Sequence, residues 1–507
     1  MSDLKTLYRH SSHYLGGRVA VMLLGFISFP LFTRVFSVAD YGVINLITNT
    51  VLLLTVISKF GFQHAIQRYY PENATADPGR LGRYYSTLFY GTALLATVLS
   101  VLFGLSVYFG AGKFIGIAAT GTLLIACGLI IVRSLRSMQM NLMQMENKTR
   151  LFNGMDILQK AATIALICLL LFLWKKTVFA FFLGLVLVEG AIMLEYLPVL
   201  GKRHLLSLRQ FDGDFLRAAL AFSFPLMVAE ISWVVLDSGD RFFIQHYLGA
   251  QPLGFYAAAY GIAIYLQDVL MAPLQLALFP ICMKVWNSQG KKATQDFLSR
   301  SLDQFMLAAV LVVCVAMATS RDVIVLLASK KFQQAHSLLP FLVIGLVLSA
   351  VTIYFRPGLL IHKRASRIAR ATFYACALNI GLNVILLPRI GLIGAAIATM
   401  VSYAGIVVFL AYESLRVLPF RIEAAALARY VMVGAGAAWL AAQLAVETPW
   451  IAAVAKGTLV LVLYAGILCL IDARVRALLS QGWAMAMKGL HRPAEVSIKL
   501  PAVSERT

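Results

Sequence analysis

Apolar residues run along this chain in blocks separated by short polar stretches, and each block approaches the ~20 residues a helix needs to cross a bilayer core. The pattern predicts helices at 16–35, 42–62, 84–108, 114–135, 154–173, 177–199, 215–239, 253–283, 301–319, 337–360, 367–387, 392–415, 424–445 and 450–471. That is an all-α polytopic membrane protein with about 14 transmembrane helices. The eighth block is too long for one crossing, so it is expected to project from the bilayer or to kink near Pro273. Two stretches share a layout: 11–48 and 223–260 each run from an apolar helix through a charged elbow and a turn into a helix opening at glycine. They lie 212 residues apart, with Ser11/Ser223, Leu24/Leu236 and Gly42/Gly254 the identical pairs. Spacing and hydropathy, more than letters, suggest a repeated half.

Composition agrees. The hydrophobic fraction is 60% and the charged fraction 13%, so a soluble fold of this length would lack charge for its surface. The net charge of +21 would suggest nucleic acid in a soluble protein; here lysine and arginine are read as topology signals, and no nucleic-acid partner is expected. With the N-terminus inside, alternating segments place 34 of the 44 basic residues on the inner side and 10 outside. Both termini are therefore expected in the cytoplasm, with membrane lipids as neighbours. The N-terminal apolar run has no convincing cleavage site and reads as a first span. All six cysteines sit in apolar stretches without a CxxC, which predicts neither metal nor disulfides.

Catalytic signatures are missing. Asp212-Gly213-Asp214 resembles a sugar-transferase DxD, but the loop has no room for a nucleotide domain, and Asp214 is expected to cap the following helix. The histidines fall at loops and helix ends, and no HExxH, G-x-S-x-G or Walker A pattern occurs. The chain is not expected to be an enzyme. Ionisable groups within the spans are more telling, since each costs at least ~2.5–3.5 kcal/mol at a helix centre unless it meets a partner or water. Arg18, Arg34, Asp156, Lys160, Glu189, Glu195, Glu230, Asp237, Asp240, Arg241, Asp268 and Arg356 form that set, and together they predict a hydrated interior. Pairing or snorkelling would also account for several of them. Arg68 belongs to a stretch from Lys59 to Tyr70 where basic and aromatic residues alternate, as suits a headgroup at the inner mouth.

Three stretches carry a family resemblance: FPLFTRVFSVADYGVINL with KFGFQHAIQRYY, then FPLMVAEISWVVLDSGDRFFIQHYLGAQPLGFYAAAYGIA, and LPRIGLIGAAIATMVSYAG. Over about 11–415 the chain resembles the polysaccharide-transporter (Wzx-type) branch of the MOP exporter superfamily, the lipid-linked oligosaccharide flippases. The resemblance implies two pseudo-symmetric six-helix lobes (1–213 and 214–415), two extra helices (416–471), a cytoplasmic tail (472–507) and a central cavity receiving a diphosphate-linked glycan. Arg34 and Asp40 match its first motif, and Asp240 and Arg241 its second. Arg18, Arg34, Arg68, Asp240, Arg241 and Arg356 are the candidate cavity residues, with Lys160 a further cation; Glu230 and Asp268 are candidates for Na⁺ or H⁺ coupling. The expected activity is translocation of undecaprenyl-diphosphate-linked oligosaccharide by alternating access, without cofactor or metal. Glycosyltransferases and a polysaccharide polymerase would be partners. The alternatives are a cation-coupled multidrug exporter of the same superfamily and a non-catalytic component of an envelope polysaccharide assembly.

Overall fold

The structure, a computed structural model, describes residues 2–74, 78–111, 120–478 and 480; the side chains of 2–15, Arg18, Pro273 and a few others lie outside that description. The first half holds α1 (Ser2–Val35), α2 (Val38–Lys59), α3 (Phe62–Ala74), α4 (Pro78–Ser106), α5 (Thr120–Met145), α6 (Thr149–Leu173) and α7 (Val178–Lys202). Then come α8 (Gly213–Ser238), α9 (Asp240–Leu248), α10 (Ala250–Ala328), α11 (Leu339–Ile361), α12 (Ala365–Ile390), α13 (Leu392–Leu415), α14 (Ala424–Ala442) and α15 (Pro449–Ile471). Among the described residues 13 helices are long and apolar enough to cross a membrane, and Val19–Val35 is a shorter apolar one. The chain is an all-α, multi-pass membrane protein.

Local chemistry sets the helix ends. Ser37 accepts from the Asp40 amide at 3.1 Å and donates to the Asp40 carboxylate at 2.6 Å, so α2 starts on a reciprocal serine–aspartate cap. Asp212, not Asp214, caps α8: its Oδ1 accepts from the amides of Asp214 (3.1 Å) and Phe215 (3.0 Å). Asp214 stands in the first turn, where the dipole favours a negative charge.

At 79 residues α10 would reach roughly 120 Å, about four bilayer cores, so it must contain two crossings. The break is at Gly290, with φ 79° and ψ −167°. Only glycine takes that conformation without strain. The helix runs on through position 273, where the sequence suggested a kink. One lost amide at proline is tolerated in a membrane helix when neighbours re-satisfy the freed carbonyl.

α11 is the innermost span, with 72% of its apolar window buried, whereas α15 buries 17%. α14 and α15 pack on each other and on α10. The earlier spans pack as α1 on α6, α6 on α7, α7 on α5, and α5 on α2 and α4; the later ones as α10, α11, α13, α12 and α8 in turn. The two sets meet where α2 lies along α10 and α8, and where α1 lies along α10.

One meeting point is made twice. A β-carbon on Gly42 would lie 2.2 Å from the Ala250 carbonyl oxygen, and one on Gly254 would lie 1.9 Å from that of Val38. Val38 and Ala250 are 212 residues apart, as are Gly42 and Gly254. The contact is therefore reciprocal, as a two-fold relation demands: each glycine admits the carbonyl of the other's partner.

Candidate functional site

The end of α8 carries Asp237, and the start of α9 carries Asp240 and Arg241 into the protein interior. Asp240 is wholly buried and Arg241 is 3% exposed. The guanidinium donates from Nη1 to Asp240 Oδ1 at 2.8 Å and to the Asp237 carbonyl at 2.7 Å, and from Nε to Asn45 Oδ1 on α2 at 3.0 Å. It also lies over the Tyr260 ring, 4.2 Å from its centroid. Asp240 accepts from the Tyr256 hydroxyl and from Thr399 at 3.3 Å. Asp237 accepts from the hydroxyls of Tyr260 at 2.7 Å and Tyr403 at 3.2 Å. Both carboxylates and the cation thus find partners from α2, α8, α9, α10 and α13, which lets them stay charged away from water. A hollow of about 230 Å³ beside this network is lined by Asn49, Ser238, Phe242, Phe243 and Ile380, among others.

The remaining predicted residues lie apart from this network. Arg34 ends α1 and donates to the carbonyls of Pro30 (3.0 Å) and Leu326 (2.8 Å), satisfying the last turn of α10. Lys331 returns the favour, donating to the carbonyls of Arg34 (2.9 Å) and Phe36 (3.1 Å). Asp40 is the capping residue already described. Arg68 is exposed, paired with Glu72 at 2.6 Å one helical turn on. Arg18 stands on α1, but its side chain lies outside the described residues. Asp268 is half-buried on α10.

Glu230 on α8 binds across to the other half: Lys59 Nζ is 3.3 Å away and Gln63 donates to its second oxygen. With the Gly42–Gly254 crossing at the Val38 end of α2, this pair holds both ends of α2 against the second half.

Arg356 differs from the others. It stands on α11, the innermost span, with its guanidinium 5.9 Å from the Trp233 ring centroid, and Trp233 in turn packs against Tyr403. Its Nε is buried without a hydrogen-bond partner, and among the described residues no carboxylate lies within 4 Å. A cation in that state is a ready anion ligand. A larger apolar hollow of about 650 Å³ opens between α1, α10 and α15, lined by Phe26, Tyr265, Leu311, Val454 and Leu461 among others.

The structure gathers a second charged cluster that the sequence names only in part. Asp156, Lys160 and Glu189 are among the expected in-span charges, Arg133 lies inside the expected span 114–135 without being singled out, and Arg136 falls one residue past its end; α5 runs from Thr120 to Met145 and carries both arginines, while Lys160 is well inside α6. Arg133 sits near the middle of α5 and is bidentate to Glu189 on α7 (Nε–Oε2 3.0 Å, Nη2–Oε1 2.9 Å). Glu189, already named, is the signal for these arginines: an acid centred in a span implies a basic partner at equal depth.

The family described as Polysaccharide biosynthesis protein matches residues 7–286. Comparison with curated proteins gives no match. Among solved structures, the chain is similar to the lipid II flippase MurJ in its inward closed conformation, with TM-score 0.72 and 16% identity over 90% of this chain and 98% of that one. It is also similar to the Vibrio cholerae MATE transporter VcmN (TM-score 0.52, 13% identity, 81% and 97% covered). A MOP superfamily transporter from Pyrococcus furiosus gives TM-score 0.53 at 15% identity, with 82% and 95% covered. At such identities the likeness is one of fold.

Proposed function

Since the chain belongs to the polysaccharide biosynthesis protein family and has the fold of MOP-superfamily transporters, we propose that it moves an undecaprenyl-diphosphate-linked oligosaccharide between leaflets by alternating access. The physical obstacle is the head. A diphosphate stranded in hydrocarbon would lose hydration worth tens of kcal/mol by Born estimates, so a carrier must supply fixed positive charge and water on the way. Arg356 carries this reading: it is a cation on the innermost span, beside an indole, with no carboxylate within 4 Å among the described residues. The indole suits a sugar face and the guanidinium a phosphoryl oxygen. The polyprenyl tail would stay in lipid, with the apolar hollow between α1, α10 and α15 at hand to guide it.

The two halves, 1–213 and 214–415, would rock about the Gly42–Gly254 crossing, parting at the Lys59–Glu230 end to admit the head from the cytoplasm. Both termini would face the cytoplasm, in an inner membrane shared with the glycosyltransferases that build the substrate and a polymerase that consumes it. Coupling to Na⁺ or H⁺ would fall to Glu230 or Asp268.

Deleting the gene should trap lipid-linked repeat units in the inner leaflet. Arg356→Ala should reproduce that block at normal protein level, and Arg356→Lys should restore part of the export. Normal turnover of the intermediates in the deletion strain would end the proposal. A cation-coupled drug exporter is the second reading, favoured by two acidic residues beside one guanidinium: Asp240, buried and paired with Arg241, and Asp237, part-buried, whose backbone carbonyl accepts from it. It predicts drug sensitivity, not glycan accumulation, on deletion.

A further inference from the structure

Where α10, α14 and α15 leave the apolar zone together, they carry a band of charge. α10 has no charged residue over 305–320, α14 none over 430–442 and α15 none over 457–471. Beyond those stretches stand Asp296, Arg300 and Asp303 on α10, Arg421 and Glu423 before α14, and Asp472 and Arg474 after α15. Their contacts bring them to one level: Arg429 reaches Asp472 at 2.7 Å, Arg474 reaches Glu423 at 3.3 Å, and the Tyr430 hydroxyl donates to Asp303 at 3.2 Å. The Arg421 amide donates to Ser299 Oγ at 2.9 Å. Charge gathered at the ends of apolar spans marks the depth of the lipid headgroups.

A hollow of about 520 Å³ lies in this band, a size that suits a small polar ligand. α10 lines it with Asp296, Arg300 and Asp303, and the α14–α15 side lines it with Arg421, Glu423 and Arg474. Three acids face three arginines, so the formal charge sums to zero, yet only Arg474 and Glu423 pair. Asp296 and Arg300 stand one turn apart, a spacing at which such residues bind each other, but among the described residues no ion pair within 4 Å joins them. Arg421 has no carboxylate within 4 Å among those residues either, and Asp303 accepts there only from the neutral hydroxyl of Tyr430. Two cations and two anions are left over around one space. Among the described residues no three acids converge as a metal site would need.

We infer that this hollow holds the headgroup of phosphatidylethanolamine, its phosphate between Arg300 and Arg421 and its ammonium between Asp296 and Asp303. A phosphodiester takes charge-assisted bonds from guanidinium groups, and a primary ammonium has three N–H donors for carboxylates. A phosphatidylglycerol head would leave both acids unmatched, and the methylated ammonium of phosphatidylcholine has no N–H to give them. Cover for the acyl chains is at hand: on the apolar side of the band, α14 and α15 expose Val431, Met432, Leu470 and Ile471. Bound there, the head would bridge α10 to the α14–α15 pair. The site shares no residue with the α8–α9 network or with Arg356, and it is independent of what the chain transports.

The test reconstitutes the full chain with equal parts of phosphatidylethanolamine, phosphatidylglycerol and phosphatidylcholine, and reads the lipid that stays bound by native mass spectrometry. The unaltered protein should retain phosphatidylethanolamine in preference to the other two. Arg300→Gln combined with Arg421→Gln should weaken that retention by about tenfold, the order of one charge-assisted hydrogen bond. Asp303→Asn should change the choice of head, lowering phosphatidylethanolamine and leaving phosphatidylglycerol undiminished, a swap that loss of a merely structural carboxylate would not produce. Asp296→Asn, at an exposed position, should do the same and decides the matter if Asp303→Asn fails to fold. Equal retention of the three lipids by the unaltered protein, or an unchanged preference in Asp296→Asn and in the double arginine variant, overturns the site. So does displacement of the bound lipid by soluble glycerophosphoethanolamine at matched headgroup concentration, which would make the occupant a free head and not a membrane lipid.

Discussion

Two groups of charges sit inside this bundle, and they are built differently. Around Asp237, Asp240 and Arg241 nearly every donor has an acceptor, and the group is sealed: Asp240 has no exposure and Arg241 has 3%. Around Arg136 donors are left over, and Asp156, the carboxylate 3.8 Å from it, is 41% exposed. A saturated network fixes the positions of five helices, while an unsaturated one holds its helices less tightly. Charge within a span is therefore ambiguous until its partners are counted.

Substitutions can break or sharpen that contrast. The largest effect is expected from Arg241→Met, which leaves Asp240 buried and unpaired and should cost about 3–5 kcal/mol. Thermal unfolding of the purified protein would measure it, and Arg136→Gln should show no comparable loss. If both variants melt alike, the distinction fails.

Gly254→Ala comes next. Its β-carbon would meet the Val38 carbonyl at 1.9 Å, so the crossing must separate, at about 1–3 kcal/mol for an overpacked contact. Gly42→Ala should cost a similar amount because the contact is reciprocal. Alkylation of a cysteine placed at Val38 would report the opening, and unequal responses would break the two-fold relation.

Smaller still is Glu230→Gln, worth about 1 kcal/mol at a partly exposed pair, and best read as faster labelling near Lys59 than near Val38. Last is a pH effect in the loop after α5. Glu146 is desolvated, which opposes its charge, but hydrogen bonds from Arg203 and Lys148 (2.6 Å) outweigh that and hold its carboxyl below the ordinary value. Its contribution is present above the unfolded-state value and fades as pH falls through the lowered one. Glu146→Gln should flatten that acid limb of a melting-temperature profile.

Much of this architecture was legible in hydropathy, because a span of apolar residues leaves little choice of structure. α13 runs Leu392–Leu415 against an expected 392–415, and α15 runs Pro449–Ile471 against 450–471. Legibility failed where charge entered a helix. The span expected to end at 135 runs on to Met145, because hydropathy scores residues singly and so stops at Arg133 and Arg136, whereas Glu189 on another helix neutralises the first of them. The break at Gly290 falls between the expected spans 253–283 and 301–319, so that turn is legible, whereas the kink expected near 273 gives way to continuous helix. Arg34 and Asp40, picked out by motif, serve helix ends in this conformation. The motif is thus explained at least in part by termination of helices, which pattern alone cannot tell from ligand binding. Arg356 could be named from sequence, but its lack of a carboxylate could not.

The two closures of α2 differ in kind, and that has a consequence for control. At the Val38 end backbone meets backbone, and the cations beside it, Arg34 and Lys331, bind carbonyls across the halves and no carboxylate; at the Lys59 end a carboxylate must be stripped from its cation and amide. Raising ionic strength therefore loosens the ion-paired door more than its opposite number, so on the transport reading the electrolyte at the Lys59 end would bias which way the carrier waits.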